Sequence, residues 1–235
     1  MSQGSRDLVR VALAIVEKDI RTELRTKEMV SSMFVFAALV LLVFNFTLVL
    51  DRQRALELGP GVLWVAFVFA GTLGLNRSFA TESETRCIHG LMLAPADRSA
   101  IYLGKLVSNS VFMFTTELFI LPLFMVLFNL SLWEVLSIGD MFRFAIVLLL
   151  GTVGYSAVGT SLSAVAANTS MREVLLPVLL FPAVVPLVIG AAESTRLLFT
   201  PEPLSSPGTW IRVLIVFAVV FVVVSWLTFE YVLEE

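Results

Sequence analysis

The chain has 235 residues, of which 58% are apolar and only 15% are charged, and its mean hydropathy is +0.92. Soluble domains carry about 25% charged residues, so this composition excludes an ordinary soluble protein. The net charge of -3 indicates no class of partner, and the single cysteine excludes an internal disulfide.

Residues 5–29 predict an amphipathic helix that is too charged to cross a membrane. Its apolar residues recur at spacings of three and four, and most of the charged residues lie opposite to them. The apolar stripe consists of Val9, Leu13, Val16, Ile20 and Leu24. Such a helix fits the plane of the membrane interface, where it would lead into the first span. A solvated lead-in helix is the alternative, and in both cases residues 1–31 form an N-terminal segment.

Six nearly uncharged blocks follow, each close to or above the ~20 residues that cross a bilayer as a helix. They are Ser32–Leu50, Gly59–Leu75, Leu106–Phe128, Phe144–Met171, Val174–Ala192 and Val213–Phe229. Backbone groups in lipid must be satisfied within the span, so helices are expected. The prediction is an all-α membrane protein with a six-helix transmembrane domain over residues 32–230 and a short tail over 231–235.

The placement of lysine and arginine predicts both termini in the cytoplasm. With that orientation, eleven of these residues lie on the cytoplasmic side and five on the external side. Trp64, Trp133 and Trp210 would then belong to an aromatic belt at the external interface, with Trp226 near the internal one.

The connector over residues 77–99, on the predicted cytoplasmic side, is unusually polar for a segment between two spans. Glu82 and Arg86 have the i,i+4 spacing of a short helix, which Pro95 would end. Asp97 or Ser99 can cap the next helix. So much charge predicts a docking element for a soluble protein, and a solvated loop is the alternative. The candidate docking residues are Glu82, Glu84, Arg86, Leu91, Met92, Leu93, Pro95, Asp97 and Arg98.

Glu117 is an acid deep inside the third block. A charge at the bilayer centre costs on the order of 2.5–3.5 kcal/mol on insertion scales, so this carboxyl must be protonated or paired. Acids in membrane spans usually face a cavity or a partner, which makes Glu117 a functional candidate. A neutral acid bonded to a neighbouring helix is the alternative.

The fourth and fifth blocks carry backbone features of different kinds. Small residues recur every four positions in the fourth block, which predicts close helix packing, with the lining of a path as the alternative. The expected seam is formed by Gly151, Thr152, Ser156, Gly159 and Thr160.

In the fifth block, Pro177, Pro182 and Pro186 predict a kinked or broken helix. These prolines have two alternative explanations: a transport site, or the ordinary abundance of proline in membrane helices.

Motifs for enzymatic chemistry are missing from the sequence. Gly104-Lys105 has no glycine-rich turn before it and is followed by Leu106, so it is not a P-loop. No Gly-x-Ser-x-Gly elbow and no His-Glu-x-x-His helix occurs. His89 follows Cys87 by two residues, which is not a haem attachment motif. We therefore expect no enzymatic activity, no metal site and an energy source outside this chain.

Several segments together resemble a known family. They are Gly59–Phe79, Leu91–Pro95 with Gly104-Lys105, Glu117–Pro122, and Gly151–Thr160 through Arg172–Pro177 to Phe181-Pro182. In this order and spacing they are similar to the permease subunit of the bacterial cytochrome c maturation transporter, the haem exporter protein B (CcmB) family. The resemblance runs from Lys18 to Ala192.

The resemblance implies a six-span permease of the ABC-2 exporter type in the bacterial inner membrane. It implies a homodimer with a separate cytoplasmic ABC ATPase, a membrane haem-handling subunit, a small membrane subunit and a periplasmic haem chaperone. In such transporters the N-terminal in-plane helix and the connector contact the ATPase. Haem is the implied cargo of the complex, and lipids surround the chain. No nucleic acid is expected as a partner.

Haem itself is not expected to be bound by this chain alone. A conduit for haem would offer histidine, methionine or tyrosine ligands and arginine partners, and the six blocks contain no histidine and few basic residues. Two alternatives therefore stay open. One is an ABC-2 permease for another amphipathic substrate, such as a drug or a lipid-linked saccharide. The other is a non-transporting scaffold that couples the ATPase to the haem-handling subunit.

Overall fold

The computed structural model describes residues 3–48, 51–84, 98–167, 169, 171–200 and 206–232. Nearly all of these residues lie in helices, and no strand occurs among them. The helices are α1 (Gln3–Thr26), α2 (Glu28–Leu48), α3 (Arg52–Glu84), α4 (Arg98–Leu127), α5 (Leu132–Val135), α6 (Ile138–Ala167), α7 (Arg172–Phe199) and α8 (Pro207–Val232).

The prediction of a six-helix membrane protein is confirmed. Six helices, α2, α3, α4, α6, α7 and α8, are long and apolar enough to cross a membrane. Most are longer than the apolar blocks, because polar residues at the interface continue the helical hydrogen bonding beyond the hydrocarbon region. Glu82 belongs to α3, which continues without a break from the bundle to Glu84, so it does not begin a separate helix. The rest of the expected connector helix, from Arg86 to Pro95, lies outside the described residues.

Helix α6 lies at the centre of the bundle, where it packs against α3, α4, α7 and α8. Helix α2 lies against α3 and α4, and α1 lies against α4. The apolar window of α3 is 72% buried within the chain, whereas that of α8 is only 17% buried. Helix α3 is therefore a core element, and α8 presents most of its valine-rich surface outward.

The end of the bundle that carries α1, here called the α1 end, contains the start of α4 and the close of α3. Helix α5 lies at the opposite end. There, Arg52 pairs with Glu134 at 2.7 Å, and Asn45 Nδ2 donates to the Leu127 carbonyl oxygen at 2.6 Å. These contacts tie the first turn of α3 to α5, and the last turns of α2 and α4 to each other.

The placement of Trp64 in an aromatic belt was wrong. Its ring is only 1% exposed, and its Nε1 donates to Thr195 Oγ1 on α7 at 3.1 Å. A buried indole needs a hydrogen-bond partner, and the threonine supplies it. Trp133, by contrast, is 81% exposed on α5 at the opposite end. Trp64 is thus a core residue that joins α3 to α7.

Candidate functional site

The small residues of α6 face its neighbours at close range. A Cβ added at Gly151 would lie 2.2 Å from the Trp64 ring, and one added at Gly159 would lie 2.2 Å from Leu75 Cδ1. Both neighbours belong to α3, so glycine at these two positions is what allows α3 and α6 to approach. Ser156, between them, is also buried. These distances favour a packing seam over the lining of a path.

Glu117 is buried, with 1% of its surface exposed, and faces α6. Both carboxyl oxygens lie 2.8 Å from Thr152 Oγ1, which also lies 2.8 Å from the Leu148 carbonyl oxygen. A hydroxyl has one proton to donate. When Thr152 donates to Leu148, a protonated Glu117 can donate to Thr152. Among the described residues, no lysine or arginine forms an ion pair with Glu117.

Two further polar contacts join α6 to its neighbours, and neither was predicted. The Tyr155 hydroxyl donates to the Val68 carbonyl oxygen at 2.9 Å and lies 2.8 Å from Thr72 Oγ1 on α3. Asn109 Nδ2 on α4 donates to Thr160 Oγ1 at 3.0 Å. Buried polar groups in a bundle need such partners. Together with Glu117 and Thr152, these contacts link α3, α4 and α6 along one polar line through the bundle.

Helix α1 is clamped onto the start of α4. Lys105 is only 2% exposed, and its Nζ lies 2.9 Å from Asp19 Oδ2, whose side chain is 10% exposed. One residue earlier, a Cβ at Gly104 would lie 2.9 Å from Ile15 Cβ and 3.0 Å from the Ala12 carbonyl oxygen. Glycine therefore permits the contact between the two helices, and the buried ion pair fixes their register. The Gly104-Lys105 pair, which is not a P-loop, has this structural role.

Three residues of the apolar stripe of α1 are exposed, whereas Val16 and Ile20 are partly buried and Ile20 packs against the main core. Val9, Leu13 and Leu24 are 46%, 62% and 68% exposed, while Ile15 on a neighbouring face is 4% exposed. An exposed apolar stripe beside a charged face is the pattern of a helix in the plane of the membrane interface. The structure therefore favours the in-plane arrangement over a solvated lead-in helix.

The joint between α1 and α2 is a single residue. Lys27 has a φ of 56°, and Glu23 Oε1 accepts a hydrogen bond from the Val30 amide at 2.8 Å. The carboxylate thereby satisfies a free amide in the first turn of α2. The direction of α1 relative to the first span is thus set by local contacts as well as by its contact with α4.

Most of the candidate docking residues lie outside the described residues. They are Arg86, Leu91, Met92, Leu93, Pro95 and Asp97. Glu82 and Glu84 fall on the last turns of α3, and Arg98 begins α4. The connector thus joins two helices of the polar line, because α3 carries Thr72 and α4 carries Asn109 and Glu117. Its docking role stays a prediction.

The three prolines of the fifth block do not divide it. Helix α7 runs from Arg172 to Phe199 with Pro177, Pro182 and Pro186 inside it, so the expectation of a broken helix was wrong, and bending at these residues stays a prediction. Membrane helices tolerate proline because neighbouring helices and hydroxyl side chains satisfy the freed carbonyl groups.

Within the described residues, no group of three or more metal-ligating side chains occurs.

Six apolar helices, a buried acid and a buried ion pair define a multi-pass membrane protein whose spans are joined by internal polar contacts. The sequence profile described as "CcmB protein" matches residues 10–234. The chain therefore belongs to the CcmB family.

Proteins named "Heme exporter protein B" are similar to this chain over most of its length. The protein from Rhodobacter capsulatus is 27% identical over 187 residues, which cover 78% of this chain and 81% of that protein. The protein from Pseudomonas aeruginosa is 23% identical over 197 residues, covering 84% and 86%. The protein from Haemophilus influenzae is 23% identical over 185 residues, covering 78% and 80%.

Proposed function

We propose that this chain is the permease subunit of an ABC exporter that acts in haem handling for cytochrome c maturation. The observation that carries the proposal is the family match over residues 10–234, together with relatives named as haem exporters. The chain spans the bacterial inner membrane, with the α1 end in the cytoplasm, as the excess of lysine and arginine at that end supports. ATP hydrolysis belongs to a separate subunit, and this chain performs none.

The ATPase is proposed to engage α1 and the connector. Four buried contacts, here called tethers, would then carry its motion into the membrane. The Lys105–Asp19 pair joins α1 to α4, the Asn109–Thr160 and Glu117–Thr152 contacts join α4 to α6, and the Tyr155 hydroxyl joins α6 to α3. Each tether is buried and directional. When α1 is displaced, α4 and α6 are therefore expected to move with it, and α1 is not expected to slide past them.

A mechanical role is favoured over passage of haem through the core of one subunit. A small pocket beside Tyr155, Asn109 and Met113 has room for about 10 Å³, which holds no more than a water molecule. We propose that this chain works as a homodimer and acts on a membrane haem-handling subunit, with a small membrane subunit in the complex. A periplasmic haem chaperone would receive the cargo. The described core supplies no histidine ligand for haem.

The proposal is tested by deleting the gene and assaying haem bound covalently to c-type cytochromes. Loss of that haem, restored by the wild-type gene, is expected. Leu91→Asp in the connector should fail to restore it and should lose co-purification of the ATPase. The control is Leu58→Asp, at a 51% exposed position of α3 near the opposite end, which should retain the ATPase. Normal cytochromes in the deletion strain would contradict the proposal and favour a permease for another amphipathic substrate.

A further inference from the structure

A groove on the outer surface of the bundle runs between α3 and α7 from the α1 end toward the middle of the membrane. Its wider part, of about 610 Å³, is bordered by α2, α3 and α7 and opens near Arg77 and Glu173. Its narrower part, of about 250 Å³, continues between α3 and α7 as far as Val65 and Ile189. Phe69 and Phe181 border both parts, with their ring centroids 5.3 Å apart. The two parts therefore adjoin at this edge-to-face ring pair.

The length of the groove matches one leaflet of a bilayer. From Arg77 to Val65 the rise along α3 is about 18 Å, and from Glu173 to Ile189 along α7 it is about 24 Å. Half of a bilayer, with its headgroup region, measures about 20–22 Å. The narrow part is lined by valine, isoleucine and phenylalanine side chains, which suit an acyl chain. The groove therefore has the reach and the lining for a single lipid of the leaflet at the α1 end.

The mouth of the groove offers charges of both signs. Arg77, which also contacts Glu28 at 3.6 Å, supplies a guanidinium group, and Glu173 supplies a carboxylate. Ser32 and Asn76 add hydrogen-bonding groups at the same depth. Arginine matches a phosphate group, and a carboxylate matches a primary ammonium that can donate hydrogen bonds. A purely anionic headgroup would meet unfavourable contacts with Glu173 and Glu28.

We propose that this groove binds a phospholipid whose headgroup carries both a phosphate and a primary ammonium, as in phosphatidylethanolamine. The phosphate would lie at Arg77 and the ammonium at Glu173, with an acyl chain passing Phe69 and Phe181. The site lies between α3, a core helix, and the proline-rich α7. This inference does not depend on the proposed function, because every residue that lines the groove belongs to this chain and none is assigned to the ATPase contact.

Native mass spectrometry of the purified chain tests the proposal with phosphatidylethanolamine, phosphatidylcholine and phosphatidylglycerol supplied separately. The ethanolamine lipid is expected to be retained preferentially. Glu173→Gln should reduce its advantage over the choline lipid by about tenfold, the size of one charge-assisted hydrogen bond, because the quaternary choline group cannot donate. Arg77→Gln should weaken the ethanolamine and choline lipids alike. Equal retention of all three lipids by the wild type would overturn the proposal.

A steric variant tests the groove itself. Val185→Trp places a large ring in the narrow part, at a position that is 48% exposed on α7. Val220→Trp is the control, because Val220 is 47% exposed in the middle of α8, outside the groove. With unchanged thermal stability in both variants, only Val185→Trp should lose the lipid. Retention by Val185→Trp would overturn the proposal, and so would displacement of the lipid by haemin at equimolar concentration, because the occupant would then be haem.

Discussion

Removing the positive charge of Lys105 is expected to release α1 from α4 without unfolding the bundle. Lys105 is 2% exposed, and its removal in Lys105→Met leaves the Asp19 carboxylate in a site that is 10% exposed. Breaking a buried ion pair on one side costs about 3–5 kcal/mol. Asp19 keeps a second contact with Lys18 at 3.3 Å, so the lower end, about 3 kcal/mol, applies here.

The assay is hydrogen–deuterium exchange of α1 in lipid nanodiscs. A loss of about 3 kcal/mol corresponds to an increase of about 100-fold in the opening equilibrium of this helix. Lys18→Met is the matched control, because it removes another lysine from the same carboxylate, but one whose side chain is 45% exposed. An exposed pair contributes about 0.2–1 kcal/mol, so exchange should rise no more than about fivefold.

The double variant Asp19→Asn with Lys105→Met removes both charges of the pair. It should recover at least half of the lost protection, since no unpaired charge then stays in the contact. Wild-type exchange in Lys105→Met would refute the reasoning. An equal effect of Lys18→Met and Lys105→Met would refute it as well, because it would show that burial does not determine the strength of the contact.

The remaining predictions concern the seam of α6, with stability measured by thermal unfolding in detergent and function by cytochrome c maturation. Gly151→Ala should destabilise the chain by about 1–3 kcal/mol through its clash with Trp64. Gly61→Ala, which meets nothing within 4 Å, should not destabilise it. Tyr155→Phe should cost about 1 kcal/mol, because only its hydroxyl contacts are lost. Glu117→Leu should leave stability nearly unchanged, since the threonine keeps a carbonyl partner, yet should lower cytochrome c maturation. Full maturation with both Glu117→Leu and Glu117→Gln would make the acid dispensable.

The fold was predictable because the apolar blocks are long and nearly free of charge. Helices are the structure that satisfies their backbone in lipid. The packing face of the fourth block was predictable for a different reason. Its small residues recur every four positions, and this spacing places them on one helix face. The assignment of Glu82 to α3 was not predictable, because no local signal in the sequence separates Glu82 from the span before it or joins it to that span.

The tethers between helices were not predictable from local patterns. Asp19 and Lys105 are 86 positions apart, and each alone resembles an ordinary interfacial charge. Asn109 inside an apolar block was a usable signal of a buried polar contact, but its partner Thr160 lies on another helix. The hydrogen bonds of the Tyr155 hydroxyl were not predictable either, because a tyrosine in a span can equally well serve only as an apolar packing residue. Such pairs are set by tertiary contact, which periodicity does not report.

Transfer of haem in a reconstituted complex tests the proposed function most directly. The chain would be assembled in nanodiscs with its ATPase and the haem-handling subunit, and haem would be measured on the periplasmic chaperone by absorbance. Transfer of haem is expected to require both ATP hydrolysis and this chain. In Lys105→Met, ATP turnover is expected to continue while haem transfer is lost. Transfer at the same rate without this chain, or with Lys105→Met, would contradict the proposed function.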